Sequence, residues 1–170
     1  MKELRGYNDY VEDVKGYLQK YEQLKYTAES MRRQAEEIRE ELAMEVAAAP
    51  IAKYGGQMGG GSSELNAVES DVARRIQKEK QADLYDIRAV RIENRISLVD
   101  HAYASLDDEA KILVRGHYIE GKKWQELADT LYMSEDWARK SGAKAVRKMT
   151  AIIFGQDAVP EQMSFVFTRL

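Results

Sequence analysis

The sequence predicts an all-α protein in which a long antiparallel helical hairpin, similar to a coiled coil, precedes a small C-terminal helix-turn-helix domain. The 170 residues include only two prolines, and 32 % of them are charged with mixed signs, a composition typical of long solvated helices. Apolar residues recur at helical spacing over much of residues 1–104, and short capped helices follow. We therefore divide the chain into a hairpin at 1–104 with a Gly-rich loop at 50–63, a helix-turn-helix domain at 105–155 and a tail at 156–170.

Composition excludes several classes of function. The absence of Cys excludes a disulfide scaffold, thiol chemistry and a thiolate metal site. No apolar run approaches the ~20 residues of a membrane span, and Met1–Arg5 is not followed by the apolar stretch of a signal peptide, so we expect a cytoplasmic protein with no membrane partner. Neither His101 nor His117 has a second His three or four residues away, and no nucleophile–base pair or cofactor motif is present. We expect no catalytic residues, no metal and no cofactor, and therefore not an enzyme.

The first predicted helix covers residues 1–48. Its apolar side chains are spaced alternately three and four residues apart, which places them on a narrow stripe that must meet a partner helix. They are Leu4, Tyr7, Val11, Val14, Leu18, Tyr21, Leu24, Ala28, Met31, Ala35, Ile38 and Leu42. Two three-residue spacings meet at Leu18–Tyr21–Leu24, a stammer that locally overwinds a coiled coil.

A flexible reversal is predicted next, because Pro50 and the run Gly55–Ser63 cannot continue the helix. Ser63 is expected to cap a second helix that extends to Tyr103. Its apolar positions are Leu65, Val68, Val72, Ile76, Tyr85, Ala89, Ile92, Ile96, Val99 and Tyr103. The two stripes could close against each other within one chain or across a homo-oligomer, and the sequence is compatible with both.

Three shorter helices are predicted within 105–155. Their expected limits are Asp107 to near Gly121, Trp124–Leu131 and Glu135–Phe154, with Gly155 ending the last. Acidic residues at the start of the first helix suit its dipole. The third helix follows a turn at Tyr132–Met133 and is capped by Ser134.

The last two helices form a predicted helix-turn-helix, in which the second helix lies in the DNA major groove. A net charge of −3 by itself argues against nucleic acid, but residues 137–150 hold five basic side chains and no acidic one. The inward positions are small or apolar: Ala138, Gly142, Ala145 or Val146, and Met149. The outward positions, which suit phosphates, are Arg139, Lys140, Lys144, Arg147 and Lys148, and the first two could also reach guanine. The alternative is a solvated face whose charges suit a helix C-terminus.

Residues 124–149 resemble region 4 of bacterial sigma factors, above all in the run Ala143-Lys144-Ala145-Val146-Arg147-Lys148-Met149. A long helical hairpin before such a domain is similar to the late-gene regulators of the ArpU and RinA type, which phages and prophages of Gram-positive bacteria encode. The resemblance implies that Glu135, Asp136, Arg139 and Lys140 face bases, and that Trp137, Lys144, Arg147 and Lys148 lie near the DNA backbone. It also implies a contact with RNA polymerase. Trp137 and Gly142 depart from the family pattern.

These observations together predict a sequence-specific DNA-binding transcriptional regulator encoded by a phage or prophage. Its expected partners are double-stranded DNA, RNA polymerase and, through the hairpin, a second copy of the chain. Two alternatives stay open. A small terminase-like DNA-packaging subunit also combines a helix-turn-helix with a helical oligomerisation element, and a coiled-coil adaptor would use the C-terminal helices to bind protein.

Overall fold

The computed structural model describes residues 6–48 and 63–158. Within these two ranges the chain is helical and has no strand, which confirms the all-α fold. The elements are α1 (Tyr7–Gln19), α2 (Tyr21–Ala48), α3 (Ser63–Ala104), α4 (Asp108–Val114), a π-helical turn (Arg115–Ile119), α5 (Trp124–Thr130), α6 (Glu135–Phe154) and a 3-10 turn (Gly155–Ala158). Most of the loop expected at 50–63 and of the tail expected at 156–170 lies outside the described residues.

The first predicted helix is divided at Lys20, so the expectation of one continuous helix is wrong. Lys20 has φ −102° and ψ 11°, outside the helical range. The break falls at the stammer between Leu18 and Leu24, which a regular helix could follow only by overwinding. Every described position of the predicted stripe, from Tyr7 to Leu42, is nevertheless buried or half-buried. The stripe positions are therefore packed both before and after the irregular residue.

The described residues form two compact units. One comprises the chain up to Lys25 and from Glu93 onward, and the other comprises Tyr26–Ile92. We call them the core unit and the helix-pair unit. The sequence placed a boundary between residues 104 and 105, whereas the core unit also includes α1 and the end of α3.

The helix-pair unit is built around alanine. Ala28 and Ala35 on α2 and Ala82 and Ala89 on α3 are buried, each pair seven residues apart. Small side chains at every second helical turn permit the backbones to approach closely. Because the spacing of seven keeps each alanine pair on one side of its helix, these four residues make up a narrow buried strip.

Ion pairs between α2 and α3 flank this strip. Arg32 lies 3.0 Å from Asp86, Arg39 lies 2.7 Å from Asp86, and Lys78 lies 2.8 Å from Glu45. Residues later in α2 pair with residues earlier in α3, so the two helices run antiparallel within this unit.

The second predicted stripe is wrong at two positions, which are exposed and not buried. Val72 and Ile76 are 50 % and 46 % exposed. The alternating spacing of three and four continues backwards from Ala82 to Lys78, Arg75 and Asp71 instead, and these three residues are half-buried. Polar residues occupy the seam here because α2 places carboxylates opposite them. The Lys78 ammonium donates hydrogen bonds to both Glu41 and Glu45.

The core unit has larger buried side chains. Nine buried residues from α1, α3, the α3–α4 connection, α4 and α6 pack together: Val14, Leu18, Val99, Ala102, Leu106, Val114, Ala145, Val146 and Met149. A second cluster joins α4, α5 and α6 through Leu113, Leu127, Ala128 and Ala138. Both clusters contact α6, so that one side of this helix is fixed by packing and the other side is left to solvent.

In the described ranges, no helix is both long and apolar enough to cross a membrane.

Candidate nucleic-acid interface

The connection between α5 and α6 is short and held by hydrogen bonds. The Met133 amide donates to the Ala128 carbonyl at 3.0 Å. The Ser134 hydroxyl accepts from the Trp137 amide at 3.2 Å, which confirms the predicted cap of α6. Tyr132 adopts φ 54°, a left-handed conformation that is rare for a bulky residue, and its side chain is 98 % exposed. The connection thus fixes the start of α6 relative to α5.

Small residues on the inner side of α6 allow α5 to approach. A Cβ atom added at Gly142 would lie 2.4 Å from the Trp124 ring, closer than real contacts permit. Trp124 in turn stacks on His117, with ring centroids 3.8 Å apart. The predicted inward positions Ala138, Gly142, Ala145, Val146 and Met149 are all buried. Thr150, which the sequence did not suggest, is buried with them and donates to the Val146 carbonyl.

The helix before α5 differs from the prediction. An α-helix was expected from Asp107 to near Gly121, but α4 ends at Val114 and a π-helical turn follows. Gly116 in that turn lies against α5, since an added Cβ would be 2.5 Å from the Leu127 side chain. The wider π turn therefore lies where α5 packs closely against it. Asp107 itself is the N-cap, and its carboxylate accepts from the Ala110 amide at 2.8 Å.

The outer side of α6 carries the predicted cations. Arg139, Lys140, Lys144, Arg147 and Lys148 are all exposed. At roughly 100° per residue, Lys140, Lys144 and Arg147 point most directly away from the buried side, whereas Arg139 and Lys148 lie towards its two edges. Trp137 is 57 % exposed, so its indole is accessible to a ligand.

Three of these five cations already have partners. Arg139 pairs with Glu135 at 2.6 Å and Lys140 pairs with Asp136 at 2.7 Å, one helical turn earlier. The Lys148 ammonium donates to the Ser105 carbonyl at 2.8 Å. All four charged side chains of the two ion pairs are at least 42 % exposed, so these pairs contribute little to stability and exchange readily for another anion. The five cations therefore form two sets. Arg139 and Lys140 are in ion pairs near the start of α6, and Lys144, Arg147 and Lys148 lie further along the helix.

Lys144 and Arg147 are different, because within the described residues neither makes an ion pair or side-chain hydrogen bond. Lys144 and Lys148 line a groove of about 400 Å³ between α6 and the start of α4. Asp107 and Glu109 line the same groove, so its potential is mixed. Arg147 lies outside the groove. Of the five cations, Arg147 is therefore the one that has no partner among the described residues and does not line the groove.

One further cation belongs to the same region. Lys123 immediately precedes α5, is exposed and has no ion pair within the described residues. It was not among the predicted site residues. The signal available in the sequence was the pair Lys122-Lys123 directly before the first helix of the motif. Lys122 is paired with Glu120 at 2.8 Å.

The described residues contain no group of three or more His, Cys, Asp or Glu that could hold a metal ion. A second group of basic residues lies on α3 and is mostly paired, since Arg74 and Arg75 pair with Asp71, and Lys78 pairs with Glu45. On α6, by contrast, the five cations are all exposed, and Lys144 and Arg147 have no ion pair within the described residues.

Comparisons with known proteins add no family. No family model, no curated protein and no solved structure matches the chain.

Proposed function

We propose that the protein is a sequence-specific DNA-binding transcriptional regulator that inserts α6 into the major groove of double-stranded DNA. One observation carries the proposal: α6 buries a continuous small and apolar side and presents Lys140, Lys144 and Arg147 on the opposite side. A helix diameter of about 10–12 Å matches the width of the major groove. The short, capped connection to α5 is typical of helix-turn-helix proteins.

The first two turns of α6 are the part proposed to contact bases. In helix-turn-helix proteins, the N-terminal residues of the second helix contact base edges. Arg139 and Lys140 lie there, and their exposed pairs with Glu135 and Asp136 are weak enough to break on contact with DNA. The released carboxylates could accept a hydrogen bond from the cytosine N4 amino group, and Arg139 could donate hydrogen bonds to guanine.

The middle of α6 is proposed to contact the phosphate backbone, together with Lys123 before α5. Lys144, Arg147 and Lys123 are exposed and have no described ion-pair partner, so binding a phosphate does not require breaking an existing pair. Lys148 would first have to leave the Ser105 carbonyl. We therefore assign Lys148 a smaller part in binding than the sequence suggested.

The test begins with the selection of bound sites from random DNA, followed by fluorescence anisotropy of the selected site across a salt series. Each phosphate contact contributes a slope of about −0.9 to the logarithm of affinity against the logarithm of salt. Arg147→Ala should therefore weaken binding to all sequences alike and reduce the slope by about 0.9. Lys140→Ala should instead change the preferred sequence. Lys20→Ala, which removes an exposed lysine outside α6, is the matched control and should leave affinity and sequence preference unchanged.

Two results would contradict the proposal. The first is the absence of an enriched sequence together with affinity that does not depend on salt. The second is unchanged DNA binding after Lys140→Ala, Lys144→Ala and Arg147→Ala are combined, with the far-UV circular dichroism spectrum intact. The second result would favour an adaptor whose C-terminal helices bind protein.

The setting is part of the same proposal. The resemblance of residues 124–149 to sigma factor region 4 supports a contact with RNA polymerase and a role in phage or prophage late-gene transcription in the cytoplasm of a bacterial host. Co-purification of polymerase with the tagged protein would test this part. Its persistence in the combined Lys140→Ala, Lys144→Ala and Arg147→Ala variant would separate it from DNA binding.

A further inference from the structure

The outer side of α3 carries a second apolar stripe that no described part of the chain covers. Ile76, Ile87 and Val90 are 46 %, 48 % and 40 % exposed, and Val72 and Leu84 beside them are 50 % and 53 % exposed. At roughly 100° per residue, Ile76, Leu84 and Ile87 lie on the side of α3 away from the buried Ala82 and Ala89. Val72 and Val90 lie on one flank of that side. By contrast, the exposed side of α2 between Glu29 and Glu40 is almost entirely charged. An apolar stripe of this kind on one helix of a charged pair suits another helix.

Six positions along this stripe, three of them its apolar residues Ile76, Ile87 and Val90, follow a heptad spacing. The positions Ala73, Ile76, Lys80, Asp83, Ile87 and Val90 are separated by three, four, three, four and three residues, the pattern of a coiled-coil seam. We propose that this stripe pairs with the same stripe of a second copy of the chain, in antiparallel orientation. The proposal is independent of any function in DNA binding.

The seam is complementary to itself in one antiparallel register. With the twofold axis between Gln81 and Ala82, Ile76 faces Ile87 of the second copy, and Ala73 faces Val90 of the second copy. In the central layers Lys80 faces Asp83 of the second copy. The reciprocal layers complete a contact that extends over about 26 Å at 1.5 Å per residue.

The charged central layers select both the partner and the direction. In a parallel pair, Lys80 would face a second Lys80 and Asp83 a second Asp83, so both layers would be repulsive. In the antiparallel register both layers are attractive. An unrelated apolar helix would leave Lys80 without a partner and would offer Asp83 nothing beyond its bond to Arg39, which is why a second copy suits this surface best.

The two charged residues are available for this contact. Lys80 is exposed and has no ion pair within the described residues. Asp83 is 61 % exposed and bonds Arg39 through one carboxylate oxygen only. Arg39 also bonds Asp86 at 2.7 Å, so it keeps an anionic partner if Asp83 turns to Lys80 of the second copy.

Sedimentation velocity of the full chain over a micromolar concentration series tests the pairing. The wild-type protein should dimerise. Lys80→Asp and Asp83→Lys should each raise the dissociation constant at least tenfold, because each creates two repulsive layers. The two changes in one chain, or an equimolar mixture of the two single variants, should restore the dimer. Glu36→Lys, a reversal of an exposed charge on the outer side of α2, should leave dimerisation unchanged.

A cross-link determines the direction. The natural chain has no Cys, so a disulfide can form only where cysteines are introduced. A mixture of Ile76→Cys and Ile87→Cys should form a disulfide-linked heterodimer on mild oxidation, whereas neither variant alone should cross-link efficiently. A wild-type monomer at every concentration would overturn the proposal. A dimer that is indifferent to both charge reversals, or Ile76→Cys cross-linking to itself in preference to Ile87→Cys, would overturn it equally.

Discussion

The two compact units are held together in different ways. In the core unit, large side chains such as Leu18, Leu113 and Met149 are wholly buried. In the described part of the helix-pair unit, the buried residues are four alanines, and charged residues flank them. A buried leucine removes far more apolar surface from water than a buried alanine does. The comparison therefore predicts a core unit stabilised by packing and a helix-pair unit that depends more on charge.

The sequence provides a spectroscopic means to separate the units. The chain has two tryptophans, Trp124 and Trp137, and both lie in the core unit. Tryptophan fluorescence therefore reports unfolding of the core unit. Far-UV circular dichroism reports the loss of helix in both units, so a transition seen by circular dichroism but not by fluorescence belongs to the helix-pair unit.

The largest expected effect comes from removing a core leucine. Leu113→Ala removes a side chain that is 0 % exposed in contact with α5 and α6, and we expect a loss of about 3 kcal/mol in the free energy of unfolding. Leu42→Ala makes the same chemical change at a half-buried position on α2, where the loss should be about 1 kcal/mol. Urea unfolding followed by both probes measures the two values.

The two leucine substitutions also test whether the units unfold separately. Leu113→Ala should move the fluorescence transition, whereas Leu42→Ala should move mainly the circular dichroism transition. Equal losses at the two positions, or movement of both transitions together in both variants, would contradict the contrast between the units.

A smaller effect is expected at the contact between α6 and α5. Gly142→Ala gains about 1 kcal/mol of helix propensity, but the new Cβ would lie 2.4 Å from Trp124, whose ring is held by its stack on His117. Displacing that ring costs about 1–3 kcal/mol, so the net result should be destabilisation by about 1 kcal/mol. Thermal unfolding followed by far-UV circular dichroism measures it.

Gly16→Ala is the matched control for this contact. Gly16 is also helical and lies in the same unit, but an added Cβ would meet no atom within 4 Å. The substitution should therefore stabilise the protein by about 0.5–1 kcal/mol. Stabilisation by both substitutions would show that α6 does not need a glycine at residue 142.

Local signals were sufficient to predict much of this structure. The predicted limits of α6 agree with the structure at both ends, and Ser134 caps it as expected. The expected inward positions of α6 are buried, because helical spacing alone decides which side chains share one side. The stammer between Leu18 and Leu24 marked the place where α1 ends, although one continuous helix was expected there.

What could not be predicted depends on contacts between distant residues. The π-helical turn lies where Gly116 meets Leu127, a contact invisible in local spacing. Val72 and Ile76 were assigned to the seam because they are apolar, but α3 has two apolar stripes, and the carboxylates of Glu41 and Glu45 on α2 place Lys78 in the seam instead. The bond from Lys148 to the Ser105 carbonyl likewise joins residues far apart in sequence.

The smallest expected effect concerns acid. In the helix-pair unit, the Lys78 hydrogen bond lowers the pKa of Glu45, the Arg74 hydrogen bond lowers that of Asp71, and the Arg39 hydrogen bond lowers that of Asp86. A lowered pKa in the folded state means that the ionised form favours folding. This contribution is complete above the ordinary carboxyl pKa of about 4 and is lost as the pH falls through the folded-state value.

Acidification should therefore lower the stability of the helix-pair unit more than that of the core unit. The pKa of Glu120 in the core unit is also lowered, by Lys122 and Arg115, but this carboxylate lies outside the two apolar clusters. Between neutral pH and about pH 3, the circular dichroism transition should shift to lower temperature by more than the fluorescence transition. Asp86→Asn, which removes one of the titrating carboxylates, should reduce the difference between the two shifts. Equal shifts of both transitions would mean that packing, and not charge, holds α2 and α3 together.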